Sequence, residues 1–229
     1  MSQSLKQHYT ITEARYDMSA IEKNMFYLLL SKIKDDDDPE REYVVDARQS
    51  DVLKDVGIEE LRQAARNLLS RVYYINKSNG NILAVKLMTR VAYDEAKKEI
   101  RIRISQKLLP YLINLKKDYT QFQLEAALSL KSKYAKRLYE MLSHYKDQGI
   151  MKITIEELKH RLALKDLKTG KEQYKPWSMF KKHVLTIPQE ELKAYTDISF
   201  TYILEKTARK YTGVTFYIEP IAPYKPSKP

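Results

Sequence analysis

One apolar spacing occurs twice in this chain. Ile21, Met25, Leu28, Leu29 and Ile33 recur at intervals of 4, 3, 1 and 4 residues. About 110 residues later Tyr134, Leu138, Met141 and Leu142 repeat the first three intervals, with Tyr145 arriving one residue early. The spacing describes one face of an amphipathic helix and predicts helices over 19–34 and within LKSKYAKRLYEMLSHYK. Its recurrence at this distance implies a duplicated unit. Ser19 is the expected N-cap of the first helix, with Glu22 completing a capping box three residues on.

The segments after the two helices come in the same order. In the first half these are the strand YVVDA, a short helix after Ser50, the helix IEELRQAARNLLS, and a hairpin of RVYYINK with ILAVKLMTRV around Ser78-Asn79-Gly80-Asn81. In the second they are KITI, the helix EELKHRLAL, a helix opening at Pro176, and the strands ISFTYILEK and VTFYIEP around a turn ending at Gly213. Asn-Gly marks a tight hairpin turn, and Pro suits a first helical turn. Helix, strand, helix, helix, hairpin is the order of a winged helix. The expected fold is therefore α+β, with two tandem winged-helix domains related by internal duplication.

Further pieces decorate the first unit. KEIRIRIS alternates Ile100, Ile102 and Ile104 inward with Arg101 and Arg103 outward, extending the sheet through a turn at DEAKK. It would add an edge available for self-association. QKLLPYLINLKKDYTQFQLEAALSL is expected to form two helical turns and a connecting helix, which places the domains at 1–128 and 129–229. No Gly/Ser-rich linker separates them, so the units should pack together. The tail APYKPSKP, rich in Pro and Lys, is expected to be extended and mobile.

Charge distinguishes the halves. Up to Leu128 there are 21 Lys and Arg against 19 Asp and Glu; from Ser129 onward there are 20 against 11. The second half thus carries most of the net charge of +11, a field that concentrates a polyanion. No apolar run reaches the roughly 18 residues of a membrane span, and MSQSLKQHYT lacks the apolar stretch of a secretory signal. The absence of Cys excludes disulfides and thiolate metal sites. These features predict a cytoplasmic protein with no membrane association.

In the helix opening at Pro176, Trp177, Phe180, Val184 and Ile187 fall at 3, 4, 3 spacing and should face the core. Lys181, Lys182 and Ser178 then fan across the opposite side, with Lys175 at the N-terminal end. The last helix before a winged-helix hairpin enters a major groove, where such side chains reach phosphates and base edges; a merely solvated basic face is the alternative. In the first unit the corresponding helix should hide Leu61, Ala65, Leu68, Leu69 and Val72. Arg62, Gln63, Arg66 and Asn67 share its other face, and Arg and Gln read guanine and adenine bidentately. Arg209, Lys210, Tyr211 and Thr212 form an exposed second wing tip suited to a minor groove or backbone. The candidate DNA contacts are Arg62, Gln63, Arg66, Lys133, Lys175, Ser178, Lys181, Lys182, Arg209 and Lys210.

Catalytic and cofactor chemistry finds no footing. Asp35 to Asp38 lack the glycine-bearing pattern of a calcium loop and are expected to be a solvated connector. His8, His144, His160 and His183 are scattered, with no His-x-His or His-Glu-x-x-His pair. The five glycines never cluster into a phosphate-cradling loop, and no tyrosine among the 18 is singled out as a nucleophile. Neither metal nor cofactor is expected.

From Leu130 to Glu205 the motifs resemble a known family, the initiator replication proteins of iteron-bearing, theta-replicating plasmids. The resemblance rests on Leu138-Tyr139, the Leu-rich helix Leu158 to Leu164, the Phe-Lys-Lys-x-Val-Leu run Phe180 to Leu185, and Thr196-Asp197 before a strand. It extends as an arrangement over 15–220, and Trp177-Ser178 departs from the family pattern. The resemblance implies a non-enzymatic protein that binds direct repeats in double-stranded origin DNA and promotes melting of the adjacent duplex. It also implies recruitment of the host initiator and replicative helicase, and a homodimer formed through the first unit that represses its own gene. The same fold also serves transcription regulators. A nicking rolling-circle initiator would need paired histidines to hold a metal, which the scatter of His argues against.

Overall fold

The computed structural model describes residues 3–76 and 80–221. The chain runs through β1 (Ser4–His8), α1 (Tyr9–Glu13), α2 (Ala20–Leu30), β2 (Glu42–Asp46), α3 (Ile58–Ser70), β3 (Val72–Asn76), β4 (Ile82–Lys86), β5 (Met88–Asp94) and β6 (Glu99–Ile104). It continues through β7 (Tyr119–Gln123), α4 (Leu124–Ser129), α5 (Lys133–His144), β8 (Ile150–Thr154) and α6 (Ile155–Arg161). A long helical element comes next, made of α7 (Trp177–Phe180), a π-helical stretch (Lys181–Thr186) and α8 (Ile187–Tyr195), before the hairpin of β9 (Ile198–Thr207) and β10 (Lys210–Pro220). No helix among the described residues is long and apolar enough to cross a membrane. The Pro- and Lys-rich tail at 222–229 and the hairpin residues 77–79 lie outside the described residues.

Two three-stranded antiparallel sheets have the same topology. The second unit orders its strands β8-β10-β9 and the first β2-β6-β5, so a strand preceding the helices pairs with the second strand of a later hairpin in both. The match corrects the expected wing of the first unit. Its counterpart of β9–β10 is the β5–β6 hairpin with its turn at Glu95–Lys98, while β3–β4 is an inserted two-stranded ribbon. The Asn-Gly signal finds a hairpin, since Gly80 adopts φ +80°, but cannot say which hairpin joins the sheet. KEIRIRIS alternates as expected, with Ile100, Ile102 and Ile104 buried, yet β6 is the central strand; the open edges are β2 and β5.

Other local expectations shift for nonlocal reasons. The segment after Ser50 makes turns rather than a helix. In QKLLPYLINLKKDYTQFQ, a 3₁₀ turn at Leu109–Tyr111 gives way to a strand, because β7 pairs along its length with β1 at the far end of the unit. Ser19 caps α2 by accepting from the Glu22 N–H at 3.2 Å. The Glu22 carboxylate does not complete a capping box; it is buried against Arg71 at 2.7 Å and Asn67 at 2.9 Å. Leu69 is exposed and Val72 half-buried, while Ala64 takes their place on the hidden face of α3. Asp37 is also no solvated connector: it is buried, accepts from the Lys34 N–H and the Tyr43 hydroxyl, and pairs with Arg41.

The duplicated helices α2 and α5 pack on each other and build the seam between the units. Each buries a lysine two residues beyond the start of its apolar pattern, Lys23 and Lys136, and both ammonium groups lie against the Tyr27 ring, at 4.6 and 5.5 Å. Lys23 pairs with Glu140, which also accepts from Arg137 and from the Tyr16 hydroxyl at 2.7 and 2.8 Å. Arg137 reaches on to the Thr12 and Ala14 carbonyls, both at 3.0 Å. Burial pushes the Glu140 carboxyl up, but Lys23 and Arg137 outweigh it and hold the group below the usual carboxylate range. Among the described residues Lys136 donates hydrogen bonds only to the Ala127 and Leu128 carbonyls, and burial lowers its pKa to about 7; for Lys23, burial opposed by Glu140 gives about 8.

Candidate nucleic-acid interface

The helix from Trp177 to Tyr195 changes geometry midway for a reason legible in the chain. Pro188 lies inside it, and a proline there has no N–H to give and a ring that collides with the carbonyl four residues back. The turn before it widens to π geometry, with the Ile187 N–H bonding the Lys182 carbonyl. Phe180, Val184 and Leu185 are buried beneath, whereas Lys175, Ser178, Lys181 and Lys182 are exposed. The far end is fastened by the Thr-Asp turn: the Thr196 hydroxyl donates to the Leu192 carbonyl at 2.9 Å, and Asp197 accepts from the Tyr139 hydroxyl at 2.5 Å. The motif residues Tyr139, Thr196 and Asp197 therefore lock the helix in place.

Beside that helix stands the β9–β10 wing. Its turn is the pair Ala208-Arg209, with Ala208 in the left-handed region at φ +55°, rather than a longer loop ending at Gly213. Gly213 lies within β10, past a bulge, where a Cβ would come 2.9 Å from the Glu205 carboxylate. Arg209 and Lys210 are exposed at the tip, and neither pairs with a carboxylate among the described residues. Trp177 is half-buried rather than core, its indole stacked between Phe180 and Tyr211.

In the first unit most of the candidate contacts are already engaged. Arg62 bridges Glu59 on its own helix and Glu95 in the β5–β6 turn, both at 2.5 Å. Gln63 donates to Asn67, which in turn donates to Glu22. Arg66 alone of the set on α3 is exposed without a described partner. Lys133 pairs with Asp17 at 2.8 Å across the seam.

Pattern reasoning missed two cationic features. The loop between α6 and α7 carries exposed Lys165, Lys168 and Lys171 around a turn in which Asp166 accepts from the Lys168 and Thr169 N–H groups. Arg15 of the first unit holds this loop by donating to the His160 and Lys165 carbonyls at 3.0 and 2.7 Å. The other is Lys97 in the β5–β6 turn, exposed at the position equivalent to a wing tip; the DEAKK turn was its only signal. No group of three or more His, Asp or Glu among the described residues is placed to hold a metal ion.

Comparison with known proteins adds to this geometry. Residues 4–143 match the family described as "Initiator Replication protein, WH1", and residues 154–218 match "Initiator Rep protein, WH2". The chain is 29% identical over 152 residues to the PI protein of Escherichia coli, covering 61% of this chain and 50% of that protein. It is 30% identical over 84 residues to a probable replication protein rep of Bifidobacterium longum (strain NCC 2705), covering 37% and 28%. The matches thus span half or less of these relatives. The crystal structure of a Pi initiator protein in complex with iteron DNA aligns with a TM-score of 0.78 over 95% of this chain and 97% of that chain, at 20% identity. The shared fold is two tandem winged helices.

Proposed function

Because the chain belongs to the initiator replication protein family, we propose that it is a plasmid replication initiator that binds direct repeats in double-stranded origin DNA. The observation that carries this is the cationic surface of the second unit. Lys175, Ser178, Lys181 and Lys182 on one helix and Arg209 and Lys210 on the adjoining wing are all exposed, and no described carboxylate pairs with these cations. A helix presented this way suits a major groove and a cationic wing tip the flanking backbone. The first unit, taken as 1–128, supplies a weaker set of contacts, and the second, 129–229, the main one. Its role is to position and deform DNA, leaving catalysis to the host initiator and replicative helicase it recruits in the cytoplasm. Self-association to repress its own gene would use the open edges β2 and β5 of the first unit.

Hydroxyl-radical footprinting on DNA flanking the gene tests this. Protection of about two helical turns per monomer, repeating periodically over direct repeats, is the expected result. Binding should weaken steeply with salt if roughly 6–10 phosphates are contacted. Protection confined to one inverted repeat would instead identify a transcription regulator, and a nick with a covalent tyrosine link would identify a rolling-circle enzyme.

A further inference from the structure

We propose that Trp177 is a positioning residue that fixes the wing against the recognition helix, so that Arg209 and Lys210 bind phosphate as part of one rigid surface with Lys181 and Lys182. The inference rests on the DNA-binding role proposed above. It begins with the β-bulge. In β9 and β10 the cross-strand pairs Ile218 with Phe200, Phe216 with Tyr202 and Val214 with Leu204 share the inward face. Strict alternation would turn Thr212 inward next and Tyr211 out to solvent. The register shift between Tyr211 and Gly213 inserts one residue and reverses this parity, so Tyr211 pairs with Lys206 on the inward face.

There Tyr211 meets Trp177, with ring centroids 4.0 Å apart and planes inclined by 18°. The indole also lies 5.2 Å from the ring of Phe180, a side chain buried in the core. The Lys206 ammonium sits 4.5 Å from the Tyr211 centroid. With indole against one face of the phenol, the cation has the other. A column of core phenylalanine, indole, phenol and ammonium thus runs from the body of the domain into the outer half of the wing. Its two middle rings neighbour the cationic groups of the interface. Trp177 stands between Lys175 and Ser178 at the start of the helix, and Tyr211 is adjacent to Lys210 and two residues from Arg209.

Outside this column the distal wing makes few contacts among the described residues. Thr207, Ala208, Arg209 and Lys210 are exposed, and beyond the strand ladder the tip has a hydroxyl contact between Thr207 and Thr212 at 3.2 Å. A two-stranded ribbon is marginal by itself. Anchoring it by stacked rings removes freedom that binding would otherwise have to restrict.

The test compares Trp177→Ala, Tyr211→Leu, the conservative Trp177→Phe, and Arg209→Ala with Lys210→Ala, on a duplex carrying the repeat. Trp177→Ala should weaken binding about tenfold, the scale of one aromatic pair. It should lower the log–log salt slope by roughly 2, as the Arg209/Lys210 variant does, while footprint protection under the helix persists. Combining the two changes should add little further loss, Tyr211→Leu should behave like Trp177→Ala, and Trp177→Phe should restore most of the affinity. Without DNA, amide exchange at Lys210 to Gly213 should quicken in Trp177→Ala. Additive losses, or unchanged exchange at those amides in a folded variant, would overturn the positioning role. Failure of the wild-type protein to bind any duplex would overturn the DNA-binding proposal itself, and the exchange experiment distinguishes the two cases.

Discussion

The two winged helices share a topology but not the state of their cations. In the first unit, Arg62 is spanned by Glu59 and Glu95, Gln63 and Asn67 form a chain to Glu22, and the net charge up to Leu128 is near zero. In the second, the equivalent helix and wing leave their lysines and Arg209 exposed and without carboxylate partners among the described residues. The buried lysines differ in the same sense, since Lys23 has the Glu140 carboxylate for a partner, whereas Lys136 hydrogen-bonds only carbonyl oxygens among the described residues. Duplication of a fold therefore did not duplicate its electrostatics. A count of basic residues on a helix says less than whether the surrounding carboxylates have already neutralised them.

Substitutions at the seam and at the two cationic faces probe this difference. The largest effect is expected from Glu140→Ala, which leaves Lys23 and Arg137 buried without their partner and should lower stability by about 3–5 kcal/mol in denaturant unfolding. A loss under about 1 kcal/mol would mean that the seam is not what joins the units. Next comes the double change Lys181→Ala and Lys182→Ala, expected to reduce repeat binding on the order of a hundredfold with an unchanged circular dichroism spectrum. Unaltered affinity would remove that helix from the interface.

Arg66→Ala should then cost more affinity than Arg62→Ala, because Arg66 has no partner among the described residues and Arg62 is engaged. The reverse ranking would show that DNA displaces the Glu59 and Glu95 pairs. An exposed pair is worth about 0.2–1 kcal/mol, so Glu95→Gln should tighten binding by roughly twofold by releasing Arg62.

A separate, pH-dependent effect concerns Lys136. Its pKa of about 7 lies below that of an unfolded lysine, so the unfolded chain binds more protons between these values and stability rises with pH. The cost of a buried ammonium is full below pH 7 and relieved above it. Lys136→Met should therefore raise the melting temperature more at pH 6 than at pH 9; equal shifts at both would show that the group does not titrate there.

Much of this architecture is written in short-range pattern. The apolar spacing of α2 and α5, the Ser19 cap, the alternation of Ile100, Ile102 and Ile104, and the helix opening at Pro176 each depend on residues a few positions apart. Their geometry follows from the helical and strand periods. The basic character of the second half is likewise a property of composition, and the motif order from Leu138 to Asp197 carries the family resemblance.

The tertiary structure decided everything that depends on distant partners. Only the pairing of β6 with β2 shows that β5–β6, and not the Asn-Gly ribbon, is the wing of the first unit. Only the fold brings Glu95 to Arg62 from 33 residues away and Glu140 to Lys23 from 117. By spacing Trp177 belongs to the core, whereas a one-residue bulge in β10 sets Tyr211 against it. Local sequence sets which backbone conformations are favourable, but pairing register and charge neutralisation are settled by whichever groups the finished fold brings within a few ångströms.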